Sequence, residues 1–336
     1  MKVQIGPRMV GDHEPAMLVA ELSLNHGGSI DTALEMVRAA AASGADAVKV
    51  QCFTASTFCT EAATYKGERQ IDLFRRHELS AVAFSAIADE CKRQGVIFFG
   101  TPDSLEQARL LVALGAPAMK IGSDDIIHVP LLRQVAALGL PMILSTGMAN
   151  VHEIEDAIEA TAGVPVILLH CVSSYPTAPA DANLLRMLHL RGYGAPVGYS
   201  DHTDGIDAAV GAAWLGACLI EKHFTLDRHA PGPDHAFSAD PGQWRALVLH
   251  VRHAEQMRGH GHLADESPAV LEMRVAARRS VVAARAIAQG EIIRDDDLAY
   301  KRPGDGLPPV AGARIVGHRA SRALVVDEQI RKGDWT

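Results

Sequence analysis

No stretch of this chain approaches the roughly 20 consecutive apolar residues that a membrane-spanning helix needs. The opening MKVQIGPRMVGDHEP lacks the apolar centre of a secretory signal. These two absences give the expectation of a cytoplasmic protein with no membrane partner. Cysteine is scarce and odd in number: Cys52, Cys59, Cys91, Cys171 and Cys218 are scattered, and none stands in a CxxC pair. They read as free thiols of a reducing compartment, mostly buried near strands and helices. Positive charge is not in excess either. A net charge of −8 offers no general nucleic-acid surface, so an anionic substrate requires a local cluster of basic groups. Finally, no GxGxxG follows the first strand candidate, which removes the fingerprint of a dinucleotide-binding, doubly wound sheet.

What is present is an ordinary globular composition, 48% hydrophobic and 21% charged over 336 residues, enough for one large domain or two unequal ones. From Met17 onward one unit recurs: a short β-branched run, a polar residue or two, then an Ala/Leu-rich helical pattern. The strand candidates are MLVAELSL, AVKVQ, VIFFGT, AMKIGS, PMILST, VILLHC, VGYSDH and LIEKHF. Several intervening helical runs stop at glycine, among them Gly44, Gly95, Gly115, Gly139 and Gly163. Alternation of this kind implies a parallel sheet with right-handed crossovers. About eight units in roughly 200–250 residues is the pattern of a (β/α)8 TIM barrel. The expected fold is therefore α/β, with a TIM-barrel domain over residues 1–262. An open doubly wound sheet is the competing arrangement, and the missing glycine-rich turn decides against it. The stretch between Gln51 and Leu79 is long and polar for a βα connection and reads as a lid carrying Tyr65, Lys66 and Arg69. Residues 263–279 read as a linker. From 280 to 336 the texture changes to short β runs, turns and Pro/Gly punctuation, with a loose internal echo between AIAQGEIIRDDDL and VVDEQIRKGDW. A segment that small gains from docking on another surface.

The active site of such a barrel lies at the C-terminal ends of its strands. Reading those ends collects Glu21, Asn25 and His26, then Lys49, Gln51, Thr101 and Asp103, then Lys120, Ser123 and Asp125. Further along come Ser145, Thr146, Ser173, Tyr175, Ser200, His202, Glu221 and His223. Any one of these is accounted for by a turn or a helix cap, as Ser104 is. Glu21, Lys49 and Lys120 are not, because each is a charge inside an apolar strand, where an unpaired group is costly. Lysines with hydroxyls and helix N-termini are how phosphate and carboxylate are held. A histidine pair at one rim, His202 with His223, can hold a divalent metal, which polarises a carbonyl or acidifies a bound water. Glu21 can accept from a sugar hydroxyl or carry a proton. The inventory points to carbon–carbon bond chemistry on a phosphorylated or sugar-like substrate. It leaves open a synthase, a metal-dependent aldolase or epimerase, and a non-catalytic sugar-binding protein.

The segments AELSLNHGGS, GADAVKVQCF, FFGTPDS, MKIGSDD, LSTGM, HCVSSYPT, GYSDHT and EKHFTLDRHAPGPDH resemble, in order and spacing, the sialic acid synthase family. The tail, with QGEII, KRPGDG and IRKGD, is similar to the antifreeze-like or SAF domain that ends those proteins. The resemblance spans nearly the whole chain. It implies a transferase that condenses phosphoenolpyruvate with an N-acylmannosamine-type amino sugar to give a sialic-acid-like nonulosonate and phosphate. It implies His202 and His223 as ligands of Mn2+ or Mg2+, with Co2+ as a further candidate, and a catalytic role for them and for Glu21. Lys49, Thr101, Lys120, Ser123, Ser173 and Ser200 would hold phosphoenolpyruvate. Glu21, Asp125, Tyr175, Asp234 and Arg302 would contact the sugar, with Arg302 reaching the partner's site in a domain-swapped homodimer. Two positions depart from the commoner family pattern: Ser173 stands where Asn is frequent, and Asp125 where Glu is frequent. Both lie near the implied substrates and leave the acceptor open among N-acetylmannosamine, its 6-phosphate, and legionaminate-type diacetamido or deoxy sugars.

Overall fold

Each of the eight short apolar runs becomes a strand in a computed structural model that describes residues 1–65, 67–259, 261–262 and 267–336. They are β1 (Met17–Glu21), β2 (Ala47–Cys52), β3 (Ile97–Pro102) and β4 (Met119–Ile121). They continue as β5 (Met142–Ser145), β6 (Val166–His170), β7 (Val197–Asp201) and β8 (Leu219–His223). All pair in parallel and close into one barrel. The seam is β8 on β1, with Leu219 opposite Met17 and His223 opposite Glu21. Parallel strands covered by helices are buried on both faces, so they read as continuous apolar runs rather than alternating ones. Every residue of β1, β7 and β8 is accordingly buried.

The outer ring consists of α1 (Ile30–Ala42), α2 (Ala81–Gln94), α3 (Leu105–Ala113), α4 (Val129–Ala136) and α5 (Val151–Ala160). It is completed by α6 (Arg186–Leu190), α7 (Asp207–Trp214) and α8 (Pro241–Arg258). Ser29, Ser80 and Ser104 accept a hydrogen bond from the third helical N–H of α1, α2 and α3, satisfying donors that the helix itself leaves bare. Asn150 and Asp240 do so within full capping boxes. At the other end of α2, Gly95 takes a φ of 72°, the left-handed stop that glycine adopts without strain. No described helix is long and apolar enough to cross a membrane.

One element was not anticipated from the sequence. Residues Lys2–Ile5 and Arg8–Gly11 form an antiparallel hairpin, whose Val3, Ile5 and Val10 join the barrel core. Its turn at Gly6 lies against Pro117 and Ile97, at the entrances of β4 and β3. The hairpin therefore covers the N-terminal end of the barrel and leaves the C-terminal end as the open mouth. The stretch following β2 is structured: helices Ala55–Phe58 and Gln70–His77 flank a two-stranded hairpin, Thr64–Tyr65 with Glu68–Arg69. Phe53, Phe58 and Phe74 pack together there, with ring centroids 4.8–5.8 Å apart.

The chain divides into two compact units, Met1–Gly259 and His260–Thr336. Of the expected linker, residues 263–266 lie outside the described residues, and Pro268–Ala277 is a helix with no buried residue. The second unit pairs Ser280–Ala283 with Leu298–Lys301 in an antiparallel ladder. It has its own small core, including Val281, Ile287, Ile293, Ile315, Leu324 and Ile330. The sequence echo has a structural counterpart. Arg285 reaches Glu291 and Asp297, and Arg322 reaches Glu328 and Asp334, all at 2.6–2.8 Å. In each copy the glutamate also accepts the N–H three residues before it, from Ala288 or Val325.

Candidate active site

Strand register builds the site. The rows that align β8, β1 and β2 place His223 beside Glu21 and Glu21 beside Lys49. The adjoining row places Ser200 beside Glu221. In a strand alternate side chains face the same way, so these positions converge on the interior of the mouth. There Lys49 Nζ contacts Glu21 Oε2 and lies 3.3 Å from Glu221 Oε2. Lys120 Nζ lies 3.7 Å from Glu221 Oε1 and donates to the Ile121 carbonyl at 3.2 Å. The Ser200 hydroxyl donates to Glu221 Oε1 at 2.8 Å. All of these groups are buried. Burial pushes the Lys49 ammonium down to about 8, opposed by Glu221 and assisted by Lys120. Burial drives Glu221 the opposite way, towards protonation, but Lys120 and Lys49 together hold its carboxylate well below the usual range.

The two histidines stand close by. The rings of His202 and His223 are 5.4 Å apart at their centroids and inclined by 76°. His202 Nδ1 is 2.8 Å from the Val172 carbonyl. A carbonyl only accepts, so this nitrogen carries the proton and Nε2 keeps its lone pair. His223 Nδ1 lies 3.6 Å from Asp234 Oδ2. Burial lowers both imidazoles, His223 strongly and with a further push from His202 and Lys49. Neutral imidazoles are the form that ligates metal. Among the described residues no group of three or more His, Cys, Asp and Glu gathers as a metal cage. Tyr175 lies over the pair, its ring 4.4 Å from His202 and 6.3 Å from His223. Phe237 sits 4.9 Å from His223 and 5.7 Å from Tyr175, so the three rings pack together.

Around this centre, Ser123 and Ser173 share a hydrogen bond at 2.8 Å between their hydroxyls. Thr101 Oγ1 is buried with no hydrogen-bond partner. Asp125 sits among Asp124, His128 and Asp103, its carboxyl pushed up to about 6 by burial and then by Asp124. Asp234 accepts from Ser23 Oγ, and burial raises its pKa against that bond. Asn25 donates to the Phe224 carbonyl and to Ser238 Oγ, tying the β1 loop to the β8 loop. His26 is buried, and burial followed by His77 holds it at about 4. Arg302 is exposed in the second unit and makes no hydrogen bond or ion pair among the described residues. Of the basic and aromatic residues expected on the lid, Arg69 is paired to Glu61 and Asp72 within the lid itself, while Lys66 lies outside the described residues.

Glu221 is the group to which sequence reasoning gave no role, although it joins both lysines. The argument used for Glu21, Lys49 and Lys120 applies equally to it, a charge within the apolar run LIEKH. It applies to Lys222 too, but alternation turns that side chain outward, where its Nζ meets Asp201 Oδ2 and the Thr203 carbonyl at 2.8 Å. Ser23 and Gln51 were also passed over in assigning roles, and nothing in their residue types marks them.

The chain matches the model of the NeuB family over residues 36–263 and that of the SAF domain over residues 278–334. It is 43% identical to an uncharacterized protein of Methanocaldococcus jannaschii, covering 91% of this chain and 90% of that one. It is 37% identical to the N,N'-diacetyllegionaminic acid synthase of Legionella pneumophila, covering 95% and 94%. Among solved structures it resembles an N-acetylneuraminic acid synthetase of Leptospira borgpetersenii in complex with citrate. That likeness has a TM-score of 0.76 and 34% identity, covering 81% of this chain and 95% of that one.

Proposed function

The chain belongs to the NeuB family, and on that premise we propose that it condenses phosphoenolpyruvate with an N-acylmannosamine-type sugar to give a nonulosonate and phosphate. The observation that carries this reading is the buried Lys49–Glu221–Lys120 cluster in the barrel mouth. Two ammoniums inside an apolar barrel offset two carboxylates, so the cluster rests near neutrality and can exchange internal pairing for a bound anion. Lys49 and Lys120 hold the phosphate and carboxylate of phosphoenolpyruvate, and the hydroxyls of Thr101, Ser123, Ser173 and Ser200 add directional contacts. The unpartnered Thr101 Oγ1 supports this, since a buried polar atom without a partner is uncommon.

In the reaction the methylene carbon of phosphoenolpyruvate bonds to the aldehyde carbon of the acceptor, whose oxygen takes up a proton and becomes a hydroxyl. Water adds at the electron-poor carbon that remains and gives up a proton, and cleavage of the C–O bond then releases phosphate and leaves a ketone. Glu21, fixed by the Ser23 N–H at 2.6 Å and by Lys49, accepts from an acceptor hydroxyl and holds a proton in transit. Asp125, Tyr175 and Asp234 contact the acceptor.

A polyanion in a cluster with no surplus positive charge calls for a cation, and two neutral imidazoles fit one. His202 and His223 would hold it, and a bound divalent ion would polarise the aldehyde. The imidazole pair favours Mn2+ or Co2+ over Mg2+, which prefers oxygen ligands. The reading extends to a cytoplasmic, domain-swapped homodimer in which Arg302 enters the partner's site.

Phosphate release tests the proposal. It should require both phosphoenolpyruvate and one of N-acetylmannosamine, its 6-phosphate, or a diacetamido or deoxy hexose. A chelator should abolish it and Mn2+ restore it. Absence of release with every acceptor, metal present, overturns the reading.

A further inference from the structure

Ser23 lies just beyond β1 with a φ of 45°, one of four non-glycine residues in the left-handed region among the described residues, and it is buried. Glycine adopts that conformation without the steric penalty a side chain incurs. The hydroxyl is therefore retained against the backbone's preference, and its partners account for it. Gln51 Nε2 donates to Ser23 Oγ at 3.2 Å, which fills an acceptor position and directs the hydroxyl proton onwards. That proton goes to Asp234 Oδ2, on the loop after β8. The same turn aims the Ser23 backbone N–H at Glu21 Oε1, 2.6 Å away. A single residue thus grips the two carboxylates on either side of the β8–β1 seam, and a third strand fixes its orientation.

We propose that Ser23 is a positioning residue that determines acceptor specificity, setting the separation and direction of the Glu21 and Asp234 carboxylates that receive the sugar. The inference rests on the synthase reading, in which those carboxylates contact the acceptor. Ionised carboxylates only accept hydrogen bonds, so the pattern of hydroxyl and amide N–H donors on a bound sugar must match their spacing. Of the groups assigned to phosphoenolpyruvate, Lys120 and Ser123 have no hydrogen bond to Ser23 and Lys49 is reached only through Glu21, so the influence of the Ser23 hydroxyl falls first on the acceptor.

The test is Ser23→Gly in the full-length, metal-loaded protein, with Ser23→Ala alongside. Both variants lose the same hydroxyl, but only glycine is free of the left-handed penalty, so Ser23→Gly should melt above Ser23→Ala. Loss of a hydrogen bond to a charged group should raise the KM for the acceptor about tenfold or more. The KM for phosphoenolpyruvate should stay within about twofold, since uniform damage would move both. The ranking of acceptors in the phosphate-release panel should change as well. Equal shifts in both KM values, or none, overturn the inference while wild-type activity leaves the synthase reading standing. No release by the wild type with any acceptor overturns that reading first, and this inference with it.

Discussion

The two units of this chain treat charge in opposite ways. At the mouth of the barrel the charges are buried, few, and incompletely satisfied. Lys49, Lys120, Glu21 and Glu221 share partners across distances up to 3.7 Å, beside a buried hydroxyl with none. In the C-terminal unit, Arg285 and Arg322 are about half exposed, and each is clamped onto two carboxylates with short, near-identical geometry. Each clamp ties its arginine to a buried aspartate, Asp297 or Asp334, whose next residue, Leu298 or Trp335, packs in or against the small core of the unit. The difference separates incompletely paired charge, which the proposed reading reserves for a ligand, from charge fully engaged within the fold. A ligand site must hold its groups ready but underused, whereas a structural clamp has every donor occupied. Arg302 differs from Arg285 and Arg322 in being exposed and without a partner among the described residues, which is what the proposed reading requires of it.

The strongest way to break this comparison is Lys120→Met. Removing one member of a buried pair leaves the other uncompensated, a loss of up to about 3–5 kcal/mol, and kcat/KM for phosphoenolpyruvate should fall to near background. Lys120→Met combined with Glu221→Met should recover much of the stability, because well-packed apolar residues replace buried ion pairs at little cost. It should recover none of the activity. If denaturant melts show that stability and activity return together, the cluster is structural. A smaller effect compares two arginines. Arg302→Ala should raise the KM for the acceptor with no change in melting temperature, and Arg322→Ala should lower the melting temperature of the C-terminal unit by a few degrees. Exchanged outcomes would reverse the assignment made from their partners.

The smallest effect is on pH dependence, read by hydrogen exchange on the intact chain. In the barrel, burial lowers His26, His170, His202, His223 and His235 below the ordinary 6.5. As the pH falls below 6.5 the unfolded chain takes up protons that the folded barrel refuses, so barrel stability declines. Asp125 and Asp234, raised by burial, partly oppose this because the folded state protonates them first. In the C-terminal unit the lowered groups are carboxylates. Glu291 is held down by Arg285, Glu328 by the Val325 N–H and then Arg322, and Asp334 by Arg322 against its own burial. Their contribution is complete above the ordinary 4.5 and 3.8 and is lost only as the pH falls below those values. Between about pH 6.5 and 4.5, barrel peptides should lose protection while C-terminal peptides keep theirs. Earlier loss in the C-terminal unit would contradict the assignment.

The barrel itself was legible because its cause is local. β-branched runs alternating with capped, glycine-stopped helices leave little choice of architecture, and charges inside apolar strands announce the mouth. The N-terminal hairpin was not, since four-residue strands give too short a period to read and their partner is the barrel floor. Glu221 shows the intermediate case: its strand marked it as unusual, but its two lysines come from strands distant in sequence. Ser23 shows the limit, because residue type does not disclose a left-handed φ.

The amino-acid sequence by itself determined the alternation of strand and helix, the strand ends that carry Glu21, Lys49, Lys120, His202 and His223, and the separate texture of the C-terminal unit. Those features follow from periodicity, capping and the cost of burying charge, all properties of short stretches of chain. Only the tertiary structure decided which charges meet. Closure of β8 onto β1 sets the register that places His223, Glu21 and Lys49 in one row. It also brings Asp234 to Ser23 and Glu221 between the lysines. Electrostatic and hydrogen-bond energies depend on distances of a few ångströms between residues far apart along the chain, and barrel closure fixes those distances.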